Sequence, residues 1–249
     1  MKLRLDKLLV ERGLAASRER SQALILAGKV LVDDQKIEKA GAQVASDATV
    51  RLLGEDLKYV SRGGLKLEGA LEHWQIKVES KICLDVGAST GGFTDCLLQH
   101  GAARVIAVDT GYGQMDFKIR QDSRVRLLEK SNARYLTREA VGEDVELVVM
   151  DVSFISATLV LPAVVHAAFP ASTEERQGRQ MVVLVKPQFE AGREHVGKGG
   201  IVRDEAAQLG AVEKVKEALR NLGCLNSDAI ESPILGAEGN REFLLHGVF

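Results

Sequence analysis

The chain reads as a doubly wound, Rossmann-like α/β body with a mostly parallel sheet and an antiparallel last strand, preceded by a small α+β head. Three observations predict this. Residues 82–86, 105–109, 145–151 and 181–186 are near-continuous apolar runs, the pattern of parallel strands buried on both faces. Helix-like stretches near 92–100, 114–120, 155–168 and 203–222 separate or follow them, which gives the strand–helix alternation of an open sheet. The first fifty-odd residues have a different rhythm, two short helical patterns followed by period-two segments.

In the head, Leu5, Leu8 and Leu9 share one helical face and Gly13 supplies a stop. Ser17 offers a cap and Glu19 a first-turn acid for a second helix ending at Ala27-Gly28. Val30 and Val32 then alternate up to a turn at Asp33-Asp34, and Ile37, Val44, Val50 and Leu52 continue the small strands. A helix over 65–73 opens the body, and the run 241–249, close behind the turn residues 236–240, reads as the antiparallel strand. The expected division is a head over 1–58, a linker over 59–64 and a body over 65–249, with no internal repeat.

Composition narrows the function classes. Of 249 residues, 45% are hydrophobic and 27% charged, enough for a real core and too apolar for wholesale disorder. The 33 Lys and Arg against 35 Asp and Glu leave a net charge of −2, so a nucleic-acid partner needs a local basic patch. The opening Met1-Lys2-Leu3-Arg4-Leu5-Asp6 lacks the apolar core of a secretory signal. The greasiest stretch, 157–169, contains Pro162 and His166 and falls short of the roughly 20 residues a membrane helix needs. Cys83, Cys96 and Cys224 show no metal-ligand spacing and no disulfide framework. The expectation is a cytoplasmic protein with no membrane partner and no metal.

Ligands of open α/β sheets bind beyond the carboxyl ends of the strands, so the residues at those positions are the candidates for chemistry. The first strand runs into Asp85-Val86-Gly87-Ala88-Ser89-Thr90-Gly91-Gly92-Phe93, a glycine-rich turn that lets a ligand approach the backbone. Its spacing is not that of a dinucleotide loop, and the preceding acid disfavours pyrophosphate and favours a cationic group. The second strand ends at Asp109, near the spacing of about 20 residues at which an acid takes a ribose hydroxyl. A ligand with a ribose, a positive centre and no phosphate at the loop is S-adenosylmethionine. Asp151 and Lys186 end two further strands, Glu242 stands near the start of the last one, and Lys66 lies on the helix before the sheet. Asn132, after the third strand, has two open readings: a partner for an adenine edge, or a turn former.

The body resembles the FtsJ-like ribose methyltransferases, whose Lys-Asp-Lys-Glu tetrad would fall on Lys66, Asp151, Lys186 and Glu242. Nearly the whole chain, through GASTGGFTD, VDTGYGQ, DVSFIS and LVKPQFE, resembles the TlyA family, often labelled hemolysin A. The head resembles the RNA-binding domain named after ribosomal protein S four, in RLDKLLVERGL, SRERSQALILAGKVLV and KAGAQV. The resemblance implies a class I methyltransferase body and S-adenosylmethionine-dependent 2′-O-methylation of ribosomal RNA, on cytidines of one or both subunits. It departs from the pattern at Asp33-Asp34, where the family's head usually has Asn-Gly.

Two roles remain open for Lys186: general base for the ribose hydroxyl, or cation stabilising the developing alkoxide. A free lysine near 10.4 costs about 4.6 kcal/mol to neutralise at pH 7, so the base role needs a strong perturbation. Arg4, Lys7, Arg12, Arg18, Arg20 and Lys29, diluted by Asp6, Glu11 and Glu19, are either a solvated face or an RNA tether. The glycine-rich segment 192–200, carrying Arg193 and Lys198, is expected as a mobile basic lid facing RNA. Its Gly192-to-Lys198 spacing copies a Walker loop, but Gly199 occupies the magnesium-binding Ser/Thr position. His195 is read as incidental. The expected partner is ribosomal RNA or a ribosomal subunit. Rival readings are an RNA-binding protein with a vestigial enzyme body, a membrane-lysing hemolysin, and a methyltransferase acting on a base or a protein.

Overall fold

A computed structural model describes residues 2–15, 17–53, 58–236 and 238–249. Met1 of the amino-terminal stretch and Ala237 of the 236–240 turn lie outside them. The chain forms two compact units, 1–57 and 58–249.

In the first unit, strand β1 (Lys2–Arg4) leads into helices α1 (Leu5–Glu11) and α2 (Arg18–Leu26), followed by β2 (Val30–Val32), β3 (Gln35–Lys36), β4 (Gln43–Ala45) and β5 (Val50–Leu52). The sequence reading missed β1, three residues that pair antiparallel with β4 and are too short to show a period. Ser17 caps α2 by accepting the Arg20 N–H at 3.2 Å. Asp33 and Asp34 both adopt left-handed backbone, φ 49° and 63°, as a two-residue β2–β3 hairpin demands. The Asp33 carboxylate accepts the Thr49 N–H at 2.8 Å, which ties that turn to β5. Leu5, Leu8, Leu9, Leu24, Ile25 and Val30 form the core of the unit.

In the second unit, α3 (Gly63–His73) precedes β6 (Ile82–Val86), α4 (Gly92–Gln99), β7 (Arg104–Val108), α5 (Phe117–Arg120), β8 (Val125–Leu128), α6 (Arg138–Val141), β9 (Leu147–Met150), α7 (Leu161–Ala168), α8 (Thr173–Arg176), β10 (Gln180–Val185), α9 (Pro187–Glu190), α10 (Glu205–Asn221), β11 (Asn226–Glu231) and β12 (Phe243–Val248). The strands form one seven-stranded sheet in the order β11-β12-β10-β9-β6-β7-β8. β10, β9, β6, β7 and β8 are parallel, and β12 runs antiparallel between β10 and β11. β11 was not predicted: an edge strand of half-exposed residues carries no apolar run to betray it.

The expected linker 59–64 belongs to this second unit. Tyr59 is 2% exposed in its core, its hydroxyl donates to Glu68 at 2.7 Å, and the Val60 N–H donates to Asp95 at 2.8 Å. An apolar aromatic beside a helix start thus acts as the first packing residue of the body.

The two faces of the sheet bury different residues. Leu84, Val86, Ile106, Val108, Val148, Met150, Val183 and Val185 pack with α7 and α10. Cys83, Val105, Ala107, Leu147, Val149, Val182, Leu184 and Leu244 pack with α3 and α4. Strand side chains alternate faces, so parity alone decides which helices a residue meets.

Candidate active site

That parity carries past the strand ends. Asp85 continues the series of Cys83; Asp109 that of Val105 and Ala107; Asp151 that of Leu147 and Val149; Lys186 that of Val182 and Leu184; and Glu242 that of Leu244. All five therefore belong to the face under α3, the helix that carries Lys66. The antiparallel strand contributes because its register pairs Val185 with Phe243, which brings Glu242, one residue before it, to the end of the sheet where Lys186 emerges.

Two ion pairs result. Lys66 Nζ lies 2.5 Å from Glu242 Oε2, with side chains 11% and 4% exposed. Lys186 Nζ lies 2.5 Å from Asp151 Oδ1 and donates to the Ser153 hydroxyl at 2.7 Å. Lys66 and Asp151 line the same cavity of about 230 Å³, together with Ser61, Arg62, Gly63, Gly87, Ala88, Ser89, Thr90, Gly92 and Phe93. Two residues of the expected tetrad, Lys66 and Asp151, thus line the cavity, and each is ion-paired with one of the other two, Glu242 just before β12 and Lys186 just after β10.

The glycine-rich loop is shaped by its neighbours. Gly87 has φ +87°, and a Cβ there would lie 2.3 Å from the Asp151 carbonyl oxygen, so only glycine lets β6 turn this close to the end of β9. Gly91, φ +93°, precedes the first residue of α4. Asp109 receives the N–H groups of Ser89 at 2.7 Å and Gly111 at 2.6 Å, which locks the loop to the end of β7. Asn132 is exposed and its side-chain oxygen accepts the Arg134 N–H at 3.0 Å, the turn-former's bond of the two open readings. The Ser131 N–H donates to the Asp109 carbonyl at 2.9 Å, so the Asn132 segment lies beside Asp109.

Asp85 is the electrostatic centre. It is fully buried on β6, Thr94 of α4 donates to its Oδ2 at 2.6 Å, and its Oδ1 has no hydrogen-bond partner among the described residues. Burial pushes its carboxyl up to about 7, against the Thr94 hydrogen bond, and the Asp151 and Asp109 carboxylates push the same way. The sheet end is short of positive charge. A cationic ligand group fits this donor set, and a phosphate does not.

Outside the site, the basic candidates scatter. Arg4 and Arg18 both pair with the buried Asp6, at 2.8 and 3.0 Å, while Lys7 is exposed on α1, Arg20 lies on α2 and Lys29 is half-buried after it. Arg12, grouped with them from the sequence, instead braces the head by donating to the Ala48 and Ser46 carbonyls. Arg193 and Lys198 are exposed, but the segment expected to be mobile is tied at its end: the buried Asn240 donates to the Gly200 carbonyl at 2.9 Å and accepts the Val202 N–H at 3.0 Å. No helix starts at Lys198, since α10 begins at Glu205, which removes the Walker geometry. Sequence reading missed Ser61 and Arg62 as lining residues and Ser153 as a partner of Lys186. All three lie inside stretches already singled out, but nothing in a linear pattern says which neighbour of a functional residue faces the cavity.

The profile of the FtsJ-like methyltransferase family matches residues 59–249, and that of the S4 domain matches residues 3–50. The chain belongs to the FtsJ-like methyltransferase family. It is 45% identical over 243 residues to the 16S/23S rRNA (cytidine-2′-O)-methyltransferase TlyA of Mycobacterium tuberculosis, covering 97% of this chain and 88% of that protein. It is 40% identical to Hemolysin A of Brachyspira hyodysenteriae, covering 98% of this chain and 99% of that one. A solved structure from Streptococcus thermophilus, described as a hemolysin, matches with 42% identity and TM-score 0.73 over 99% of this chain and 88% of its own. The fold alone is shared with a solved structure from Listeria monocytogenes described as an S-adenosylmethionine-dependent methyltransferase, at 16% identity and TM-score 0.52 over 76% of this chain and 99% of the other. No helix among the described residues is long and apolar enough to cross a membrane.

Proposed function

We propose that this chain transfers the methyl group of S-adenosylmethionine to the ribose 2′-oxygen of a cytidine in ribosomal RNA, in the cytoplasm. The observation that carries the reading is that Lys66 and Asp151, paired respectively with Glu242 and Lys186, line one cavity together with the glycine-rich loop. The 45% identity over 97% of the chain with a cytidine-2′-O-methyltransferase supports the substrate class.

When bound, S-adenosylmethionine supplies an electrophilic methyl group on a sulfonium centre. The loop 87–93, Asp109 and the Asn132 segment would hold it, and the carboxylates of Asp85 and Asp151 suit its positive charge. The chain's own work is positioning and charge. The ribose oxygen must be aligned for in-line displacement, and alignment of this kind is worth up to about 7–11 kcal/mol in favourable cases. As the ribose oxygen takes up the methyl group its proton would pass to solvent water, and Lys186, held as an ammonium by Asp151 and Ser153, would donate a hydrogen bond to that oxygen and stabilise the negative charge developing on it. Lys66, fixed by Glu242, orients the sugar from the opposite wall. The S4-type head, with Arg4, Lys7, Arg18, Arg20 and Lys29, tethers the RNA, and Arg193 and Lys198 add contacts from the body.

The test is transfer of labelled methyl from S-adenosylmethionine to ribosomal RNA, offered free and in assembled subunits, followed by nucleoside analysis. The expected product is 2′-O-methylcytidine; label on a base or on protein would overturn the reading. Lys186→Arg keeps the charge but cannot act as a base. Activity well above that of Lys186→Ala supports the cationic role, and equal loss in both assigns Lys186 the proton.

A further inference from the structure

Glu190 is a buried carboxylate with no part in the tetrad, 6% exposed at the end of α9, the short helix that starts immediately after Lys186. Both its oxygens reach the loop that follows β9. Oε1 accepts the Ala157 N–H at 2.5 Å and Oε2 the Ser156 hydroxyl at 2.6 Å. From the other side Lys214 of α10 lies 3.4 Å from Oε2 and donates to the Glu190 carbonyl at 2.9 Å. The same loop carries Asp151 and Ser153, the two partners of Lys186. Between them and Ser156 stands Phe154, a non-glycine residue in left-handed backbone at φ 64°, a conformation that persists only where its surroundings hold it.

The two segments that bear Asp151 and Lys186 are therefore stitched twice: in the cavity by the Lys186 contacts, and behind it by Glu190. A carboxylate that accepts a backbone N–H and a hydroxyl while facing an ammonium is a strong brace, because charge-assisted hydrogen bonds are short and about twice as strong as neutral ones. Resting on the function proposed above, we infer that Glu190 is a positioning residue for methyl transfer, setting the separation of the post-β9 and post-β10 segments and thereby the place of the Lys186 ammonium. Its effect falls on the transfer step: Asp151 itself is held to the sheet by its N–H donating to the Val86 carbonyl at 2.9 Å, so loosening Glu190 shifts Lys186 and the loop beyond Ser153 rather than the cofactor wall.

The test uses the full chain with Glu190→Gln, which is isosteric but loses the charge and turns an NH₂ toward Ser156 and Lys214, and Ser156→Ala, which removes one bond from the loop side. Glu190→Gln is expected to lower kcat on ribosomal RNA between about 10- and 100-fold, the range a misplacement near 1 Å produces. The Kd for S-adenosylmethionine, by calorimetry, stays within about twofold, and Ser156→Ala shows a smaller loss of the same kind. A crystal structure of Glu190→Gln shows the Lys186–Asp151 pair opened beyond 4 Å. Unchanged kcat in folded Glu190→Gln overturns the inference, as does a loss of cofactor affinity in step with kcat, or a Lys186–Asp151 contact still at 2.5 Å. If Glu190→Gln does not fold, Ser156→Ala decides by the same readings. If the wild type itself methylates no RNA, the proposed function fails, while the pair separation still decides the role of Glu190.

Discussion

Asp85 makes the stability of the body depend on pH in a direction opposite to that of most carboxylates. It is fully buried, one oxygen lacks a partner among the described residues, and burial pushes its carboxyl up to about 7 from the ordinary 3.8. The folded chain keeps a proton on Asp85 that the unfolded chain has lost. Stability therefore falls as pH rises from about 4 to about 7 and levels off above. At about 1.4 kcal/mol per tenfold change in proton affinity, the penalty at pH 8 approaches an upper limit of about 4 kcal/mol. Asp85→Asn removes the titration while leaving an amide for Thr94. At pH 8 the variant should be more stable by roughly 2–4 kcal/mol, or about 5–10 °C in Tm for a chain this size, and the two proteins should converge near pH 4. The assay is thermal unfolding of both proteins at fixed ionic strength from pH 4 to 8.5, without cofactor, so that the difference isolates Asp85 from other titrating groups. A difference that stays flat across this window refutes the assignment. A cation bound beside Asp85 should also expel its proton near pH 7, which appears as a buffer-dependent enthalpy of S-adenosylmethionine binding that Asp85→Asn abolishes.

Other perturbations follow from the same geometry. Glu242→Gln leaves the Lys66 ammonium without its buried counter-charge and should cost about 3 kcal/mol, read as a lower urea midpoint, with activity reduced by at least about 100-fold. Gly87→Ala drives a methyl group against the Asp151 carbonyl in a left-handed conformation; weakened S-adenosylmethionine binding by calorimetry, with a lower Tm, is the expected result. Gly236→Ala sets a Cβ 2.5 Å from Glu242 Oε1 and should reduce kcat about tenfold by displacing that carboxylate, with cofactor affinity retained. In the head, the arginine beside it holds Asp6 well below the usual carboxylate range, so its contribution is complete at neutral pH and is lost as pH falls below about 4. Asp6→Asn should speed hydrogen exchange in 18–26 of the full chain and weaken its binding to ribosomal RNA, because Arg4, Arg18 and Gln22 lose the negative charge and one of the two oxygens that hold them.

Much of this was legible in the linear pattern because it depends on short-range regularities. Four of the buried parallel strands announced themselves as apolar runs, and Asp85, Asp109, Asp151 and Lys186 stand out because a charge at the end of such a run breaks it. The edge strand β11 carries no such contrast, and β1 is too short to show any period. The residues at 59–64 looked like a connector because their polar and glycine content masks Tyr59, whose burial depends on a helix that follows it.

By itself the sequence determined the strand-and-helix alternation and the identity of the charged residues at the sheet end, since each follows from periodicity or propensity over a few neighbours. Tertiary structure decided the pairings: Lys66 with Glu242, separated by 176 residues, Lys186 with Asp151, and the brace from Glu190 to Ser156 and Ala157. Those choices depend on strand order and on which face of the sheet α3 covers, and chain folding sets both through the joint burial of apolar surface, a property of the whole body that no local window contains.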